Sequence, residues 1–333
     1  YAAAKNGAKV ILAEDKPRFG GTLLTSEVNI GNQTGIEWVE KIITELKEMS
    51  NVIVKNRSQV FGYYDHNMLV MTERINDHLP KSKKYSPKQR LWYIRSKEVV
   101  ISSGSIERPL VFGNNDTPGV MLSSAAKEYL KIYGVVVGKK PLVFTNNDSG
   151  YETAIEFKKN GISPIILDTR SNPNSEIIDE AKALNIEIKF SHVVIVAKGY
   201  KKVKSADIAK ISDNKKDLGK IENIVCDCIC VSGFWTPTIH LTSQSGNKTK
   251  FNETIDAFVP GQSKQKETTL GAANGTYTLE ETLKTSFDAG SKIAKKITTN
   301  DIKISIPSIT EKKSTKHDKF WCVPLPKGKN YKR

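Results

Sequence analysis

Residues 8–16 read Ala-Lys-Val-Ile-Leu-Ala-Glu-Asp-Lys, and after Pro17-Arg18-Phe19 comes Gly20-Gly21-Thr22. A short apolar run that stops at two adjacent acids has the pattern of a buried strand with carboxylates at its tip. In a dinucleotide fold, a carboxylate at the tip of the second strand accepts hydrogen bonds from the adenosine ribose hydroxyls. Glu14 occupies that tip, with Asp15 and Lys16 after it. A negative charge there repels a 2′-phosphate, which favours NAD or FAD over NADP. The bland alternative is a solvated strand end. Gly20 and Gly21 tip the balance, because glycines let the backbone approach a pyrophosphate that Thr22 could hydrogen-bond.

Working outward, Ala2 to Asn6 reads as the end of a helix that stops at Gly7. The chain opens at Tyr1 rather than Met, inside that helix, and reads as a fragment. An amphipathic helix is expected from about Gly35 to Met49, with Ile36, Val39, Ile42, Ile43 and Leu46 on one face. Short strands follow at Val52 to Lys55, Gln59 to Tyr64, Met68 to Thr72 and Leu91 to Ile94, with a polar Lys/Pro insert before the last. Val60 lies on the strand that returns beneath the cofactor, where its backbone amide and carbonyl could pair with the adenine edge. Lys97 to Ser102 forms another strand, ending at Ser103-Gly104-Ser105, and ligands collect at that carboxyl edge in open α/β sheets. Later, Gly271-Ala272-Ala273-Asn274-Gly275 opens a helix near Leu279, and amides at a helix N-terminus suit a phosphate or a flavin carbonyl. Taken singly, each of these loops could equally be a tight turn.

A second strand–loop–helix–strand unit runs through Lys140 to Thr145, Asn146 to Gly150, Tyr151 to Asn160 and Pro164 to Asp168. It is a βαβ unit of a parallel sheet. Its turn, Thr145-Asn146-Asn147-Asp148-Ser149-Gly150, has one glycine where a dinucleotide fingerprint wants three, and Asp148 would repel a pyrophosphate. No C-x4-C redox dithiol is present, so a reductase taking hydride from free NAD(P)H at this second site is not expected. The expected fold class is α/β, a two-dinucleotide-binding-domain flavoprotein fold of the FAD/NAD(P)-binding, Rossmann-like kind, with the second nucleotide unit inserted in the first. Residues 1–122 and 224–300 would form the first domain and 123–223 the inserted one. Residues 301–333 would be a polar, irregular linker that packs on absent sequence.

With 333 residues, 38% of them hydrophobic and 26% charged, the composition is that of an ordinary globular protein of about two domains. No run approaches the roughly 20 apolar residues of a membrane span, and no signal peptide precedes the first strand. Cys226, Cys228 and Cys230 alternate along one apolar run and would share one face of a strand, unable to pair with one another. That pattern fits structural core in a reduced, cytoplasmic protein, with metal or iron–sulfur ligation as the alternative. The net charge of +15 invites a nucleic-acid reading. Against it, the densest lysine clusters (Lys81, Lys83, Lys84; Lys312, Lys313, Lys316) lie in polar loops without interleaved aromatics, as a solvated surface or a face toward an acidic partner subunit would. The histidines at 66, 78, 192, 240 and 317 show no metal spacing, and no catalytic residue is assigned.

The segments VILAEDK…GGTLL, LWYIRSKEVVISSGSIERPLVFGNNDTPGVML, PLVFTNNDSGYETA, VSGFWTPTIHLTSQSGNK, AFVPG and GAANGTYTLEETL closely resemble the α subunit of heterotetrameric, tetrahydrofolate-linked sarcosine oxidase, from residue 1 to about Pro324. The resemblance implies a tightly bound NAD in the first nucleotide fold. It implies FAD in a β subunit that oxidises sarcosine, a covalent FMN near the α–β interface, and a distal α-subunit domain that passes the one-carbon unit to tetrahydrofolate. With γ and δ subunits, such an enzyme makes glycine, hydrogen peroxide and methylenetetrahydrofolate. Carried over by motif, Glu14, Asp15 and Lys16 fall on the ribose, Thr22 beside Gly21 on the pyrophosphate, Val60 on the adenine, and Ala272, near Asn274, beside the cofactor. Two departures stand out: the Gly-rich loop expected before Tyr1 and the folate domain expected after Arg333 are missing, so the chain alone would be inactive in the folate step. Alternatives are the α subunit of a related opine, hydroxyproline or proline dehydrogenase, or a stand-alone NAD(P)H-dependent flavoprotein reductase.

Overall fold

The run at residues 8–13 forms a strand over Val10–Ala13 that pairs in parallel with Val52–Lys55, Val10 opposite Val52 and Ala13 opposite Lys55. The computed structural model in which this pairing is seen describes residues 1–80, 85–298, 300, 302, 304–312 and 316–326. Between the two strands lies helix Gly35–Glu48, started by a capping box in which the Glu37 amide donates to Thr34 Oγ1 and the Thr34 amide donates to Glu37 Oε2. Its apolar face buries Val39 and Leu46, as the 3.6-residue spacing requires.

The chain divides into two compact units. The first takes Tyr1–Ile106 and Thr236–Glu311; the second takes Glu107–Trp235 and the described residues from Lys312 onward. The first unit adds to its opening parallel pair an antiparallel sheet of Ser58–Tyr64, Met68–Arg74 and Gln89–Arg95. It also holds a second parallel pair, Val99–Ile101 with Glu267–Thr269. Among the described residues, no ladder hydrogen bonds join the two parallel pairs.

The second unit is built on a five-stranded parallel sheet in the spatial order Val120–Leu122, Cys228–Ser232, Pro141–Thr145, Ile165–Asp168, Glu187–Phe190. Such a sheet is buried on both faces. On one face, helices Ser123–Tyr133, Ser149–Lys159 and Glu176–Ala183 cover Val143, Ile166, Cys228 and Cys230. On the other, Leu142, Phe144, Leu167 and Ile229 join residues of an antiparallel sheet formed by His192–Lys198, Ser205–Ile211 and Leu218–Val225.

Three expectations differ from the structure. The first concerns the domain boundaries: the second unit begins at Glu107 rather than at residue 123, and it runs past residue 223 to Trp235. Strand Cys228–Ser232 belongs to the second unit, because it inserts between Val120–Leu122 and Pro141–Thr145. The run 224–232 is also not one strand. It breaks at Asp227, whose carboxylate accepts the Lys139 and Lys140 amides at 2.8 Å each. Cys226 therefore falls into the opposite core from Cys228 and Cys230, and the three thiols do not share one face. Burial pushes the Cys226 thiol up to about 12. Finally, the residues after 300 are not a linker without packing of its own. Ile309–Thr310 pairs with Asn29–Ile30, and Phe320 and Val323 are buried in the second unit's core. Lys81, Lys83, Lys84 and Lys313 lie outside the described residues.

Candidate dinucleotide site

Glu14 stands at the carboxyl end of Val10–Ala13, fixed by its own backbone. Its amide donates to Lys55 O at 2.9 Å and its carbonyl accepts the Ser58 amide at 2.7 Å. The side chain turns back so that Oε1 accepts the Lys16 amide at 3.0 Å. Partial burial raises the Glu14 carboxyl above the usual range. Asp15 pushes the same way, while the Lys16 amide opposes it. Asp15 and Lys16 are exposed. The loop that carries them is tied down by Arg74 Nη2 donating to Asp15 O at 2.6 Å and by the Arg57 amide donating to Lys16 O at 3.0 Å.

The next turn, Gly21–Leu24, is a single 3-10 turn. Gly21 sits at φ +53°, with no heavy atom within 4 Å of where a Cβ would be, so its backbone is open to a close ligand. Thr22 is exposed on the same turn, and Leu23 beneath it is buried. Val60 sits on the edge strand Ser58–Tyr64, opposite Met71 and two residues past the Ser58 amide that bonds Glu14.

Gly104 and the late loop leave one common edge. Strands Val99–Ile101 and Glu267–Thr269 run parallel, with Leu270 N–H donating to Ile101 O at 2.9 Å, and both carboxyl ends lead into these candidates. Gly104 lies at φ +74° over open space, and its carbonyl accepts the Thr238 amide at 3.0 Å. Ala272 and Asn274 form the 3-10 turn Gly271–Asn274, Ala272 partly buried and Asn274 exposed.

Packing links the two groups. Leu23 shares a core cluster with Leu279 and Leu283, on the helix Leu279–Thr298 that follows the late turn. The Gly21–Leu24 turn and the late loop thus rest on one helix. Sequence reading misses this link, although the Leu23-Leu24 pair directly after Thr22 carries its signal. An acid at a strand tip, two open glycine backbones and a hydroxyl on an adjacent turn fit the adenosine–pyrophosphate part of a dinucleotide.

The second unit's equivalent edge is filled by its own side chains. Asp148, whose charge would repel a pyrophosphate, pairs instead with Arg170 Nη1 at 2.8 Å. Arg170 Nη2 also meets Asp168 Oδ2 at 2.8 Å, and Tyr151 Oη donates to that same oxygen at 2.7 Å. Burial, then the Asp168 charge, pushes the Tyr151 phenol far above its ordinary value. Asn147 Nδ2 donates to both Ser232 O and Ser232 Oγ at 3.1 Å. Among the described residues, no three or more His, Cys, Asp or Glu side chains gather as metal ligands, and no helix is long and apolar enough to cross a membrane.

No family model matches the chain. Sarcosine oxidase subunit alpha of Rhizobium meliloti (strain 1021) is 33% identical over 276 residues, 82% of this chain and 27% of that protein. The subunit alpha of Corynebacterium sp. (strain U-96) is 32% identical over 287 residues, 85% of this chain and 30% of that one. The chain thus spans under a third of the length of these curated relatives. Among solved structures, L-proline dehydrogenase from P. horikoshii matches 91% of this chain and 54% of its own, with a TM-score of 0.64 at 19% identity. Thioredoxin reductase from T. acidophilum matches 90% of this chain and 92% of its own, with a TM-score of 0.63 at 14% identity. At those identities the likeness bears on fold, and the fold is that of FAD/NAD(P)-binding, Rossmann-like flavoproteins. Over most of its length, this chain is homologous to a part of the sarcosine oxidase α subunits.

Proposed function

We propose that the first unit holds NAD as part of the α subunit of a heterotetrameric sarcosine oxidase-like complex, an oxidoreductase acting on a CH–NH donor. The observation that carries the reading is Glu14: a partly buried carboxylate at a strand tip, followed by the open Gly21-Thr22 turn. Glu14 would accept the adenosine ribose hydroxyls, with Asp15 and Lys16 flanking them. Gly21 and Thr22 would take the pyrophosphate, and the Val60 backbone would meet the adenine edge. Gly104, Ala272 and Asn274 would border the rest of the cofactor. When bound, NAD brings a nicotinamide that can accept hydride. This chain's own residues bind and orient it, and no catalytic residue is assigned among them.

In the full complex, amine oxidation belongs to the FAD of a β subunit, FMN lies at its interface with this chain, and γ and δ subunits complete the assembly. Sarcosine, tetrahydrofolate and oxygen would yield glycine, methylenetetrahydrofolate and hydrogen peroxide, the folate step lying in a further domain. The homology to sarcosine oxidase α subunits supports this reading. The test is nucleotide content: the purified complex, denatured, should release NAD, and Glu14→Ala should lower the amount retained. NADH oxidation by the isolated chain at a useful rate would point instead to a stand-alone reductase.

A further inference from the structure

The second unit's sheet has its topological switch point between Pro141–Thr145 and Cys228–Ser232. From the first of these strands the chain proceeds to Ile165–Asp168 on one side, while Cys228–Ser232 and Val120–Leu122 lie on the other. Doubly wound sheets bind their ligands in the crevice outside the carboxyl ends at that point. Here the crevice is crossed by the described residues 316–323.

Asn146, fully buried at the end of Pro141–Thr145, donates through Nδ2 to Asp318 O at 2.9 Å and to Phe320 O at 3.1 Å. The Asp318 amide returns a bond to Asn146 O at 2.8 Å. Past Ile165–Asp168, Thr169 Oγ1 donates to Asp318 Oδ2 at 2.9 Å, and Lys215 Nζ pairs with the same oxygen at 2.9 Å. Past Cys228–Ser232, Trp321 Nε1 donates to Gly233 O at 2.9 Å, and His317 stacks on Phe234 with ring centroids 4.0 Å apart. Phe320 and Val323 anchor the segment in the core, and the Val323 amide bonds Val111 O at 2.8 Å. A carboxylate held by a lysine and a threonine hydroxyl, on a backbone clamped by a buried asparagine, is the contact set a ligand phosphate makes at such an edge.

We propose that His317–Val323 is an internal strap occupying the second nucleotide crevice, with the Asp318 carboxylate standing where the phosphate of an adenine nucleotide would lie. The strap shuts the second unit to free nucleotides, and its release uncovers a phosphate-binding edge formed by Lys215 and Thr169. This proposal is independent of the NAD reading, which concerns the first unit.

The test uses the whole chain in two variants: Asp318→Ala, which removes the anion, and Asn146→Ala, which removes the backbone clamp. Amide hydrogen exchange and NMR shifts are followed while adenosine 5′-diphosphate is added. In at least one variant the amides at 318 and 320 should exchange at least tenfold faster than in the unsubstituted chain, with those of residues 142–145 unchanged. In that variant the nucleotide should shift the Thr169 and Ser149 amides saturably. The unsubstituted chain should show no such shift. The proposal fails if both variants keep their strap protection, if a released variant gives no response at Thr169 and Ser149, or if the unsubstituted chain responds equally. Because the readout sits on second-unit amides, binding at Glu14 or its absence does not alter any of these outcomes.

Discussion

At Glu14 a single side chain carries the proposed link between strand tip and ligand, and its chemistry sets two expectations. A hydrogen bond to a charged acceptor contributes about 1.5–3 kcal/mol, so Glu14→Ala should weaken NAD binding on the order of tenfold to a hundredfold in a titration of the stripped protein. Partial burial raises the Glu14 carboxyl, so the folded chain keeps this proton to a higher pH than an ordinary glutamate would. The stabilising effect of that proton is present below the unfolded value and lost as pH rises through the raised folded one. In the proposed site the ribose hydroxyls donate to this carboxylate, so NAD would bind the ionised form better. Its affinity should therefore climb as pH rises through the raised Glu14 range and then level off, a rise that Glu14→Gln abolishes. In the second unit, Arg170→Ala would strand the Asp168 and Asp148 carboxylates in a buried site. Losing one partner of such a network costs about 3–5 kcal/mol, readable as a fall in the denaturant midpoint. The place of Glu14 at a strand tip is legible in the sequence because a strand followed by an acid is a local pattern. The partner of Asp148 is not, because Arg170 lies 22 positions downstream and only the packed sheet edge brings the two together.

Elements with a clean period can be read from the chain alone. Helix Gly35–Glu48 is legible from its apolar spacing, and its start is set by the Thr34–Glu37 box, so Thr34→Ala should destabilise the chain by about 1 kcal/mol in equilibrium unfolding. Helix Ser123–Tyr133 ends at Gly134 in the left-handed region, a stop that the residue type announces. Residues 224–232 look like one strand for a specific reason: Asp227 commits its carboxylate to two distant amides, and hydropathy does not register that bend. The strap is illegible for a related reason. His317 to Val323 has no period, and its contacts are backbone bonds and rings reaching distant residues such as Gly233 and Asn146, 88 and 174 positions away.

For the whole molecule, insertion of one nucleotide unit into the other follows from the repeated strand–loop–helix–strand plan. The boundary shifts because a parallel sheet recruits strands non-locally, and Cys228–Ser232 completes the second sheet between strands more than 80 residues earlier in the chain. The two units use their carboxyl edges differently. In the first, Gly21 and Gly104 stand open beside Glu14's strand and the late loop; in the second, Asp148, Arg170 and residues 317–323 fill the edge. The central claim is that only the first edge holds a cofactor and that the cofactor is NAD. Its most direct test is to denature the purified complex, identify the nucleotide released and count it per copy of this chain. One NAD per chain, reduced in Glu14→Ala and unchanged in Thr34→Ala, is the expected result. Release of no NAD, or full retention of it by Glu14→Ala, would contradict the account.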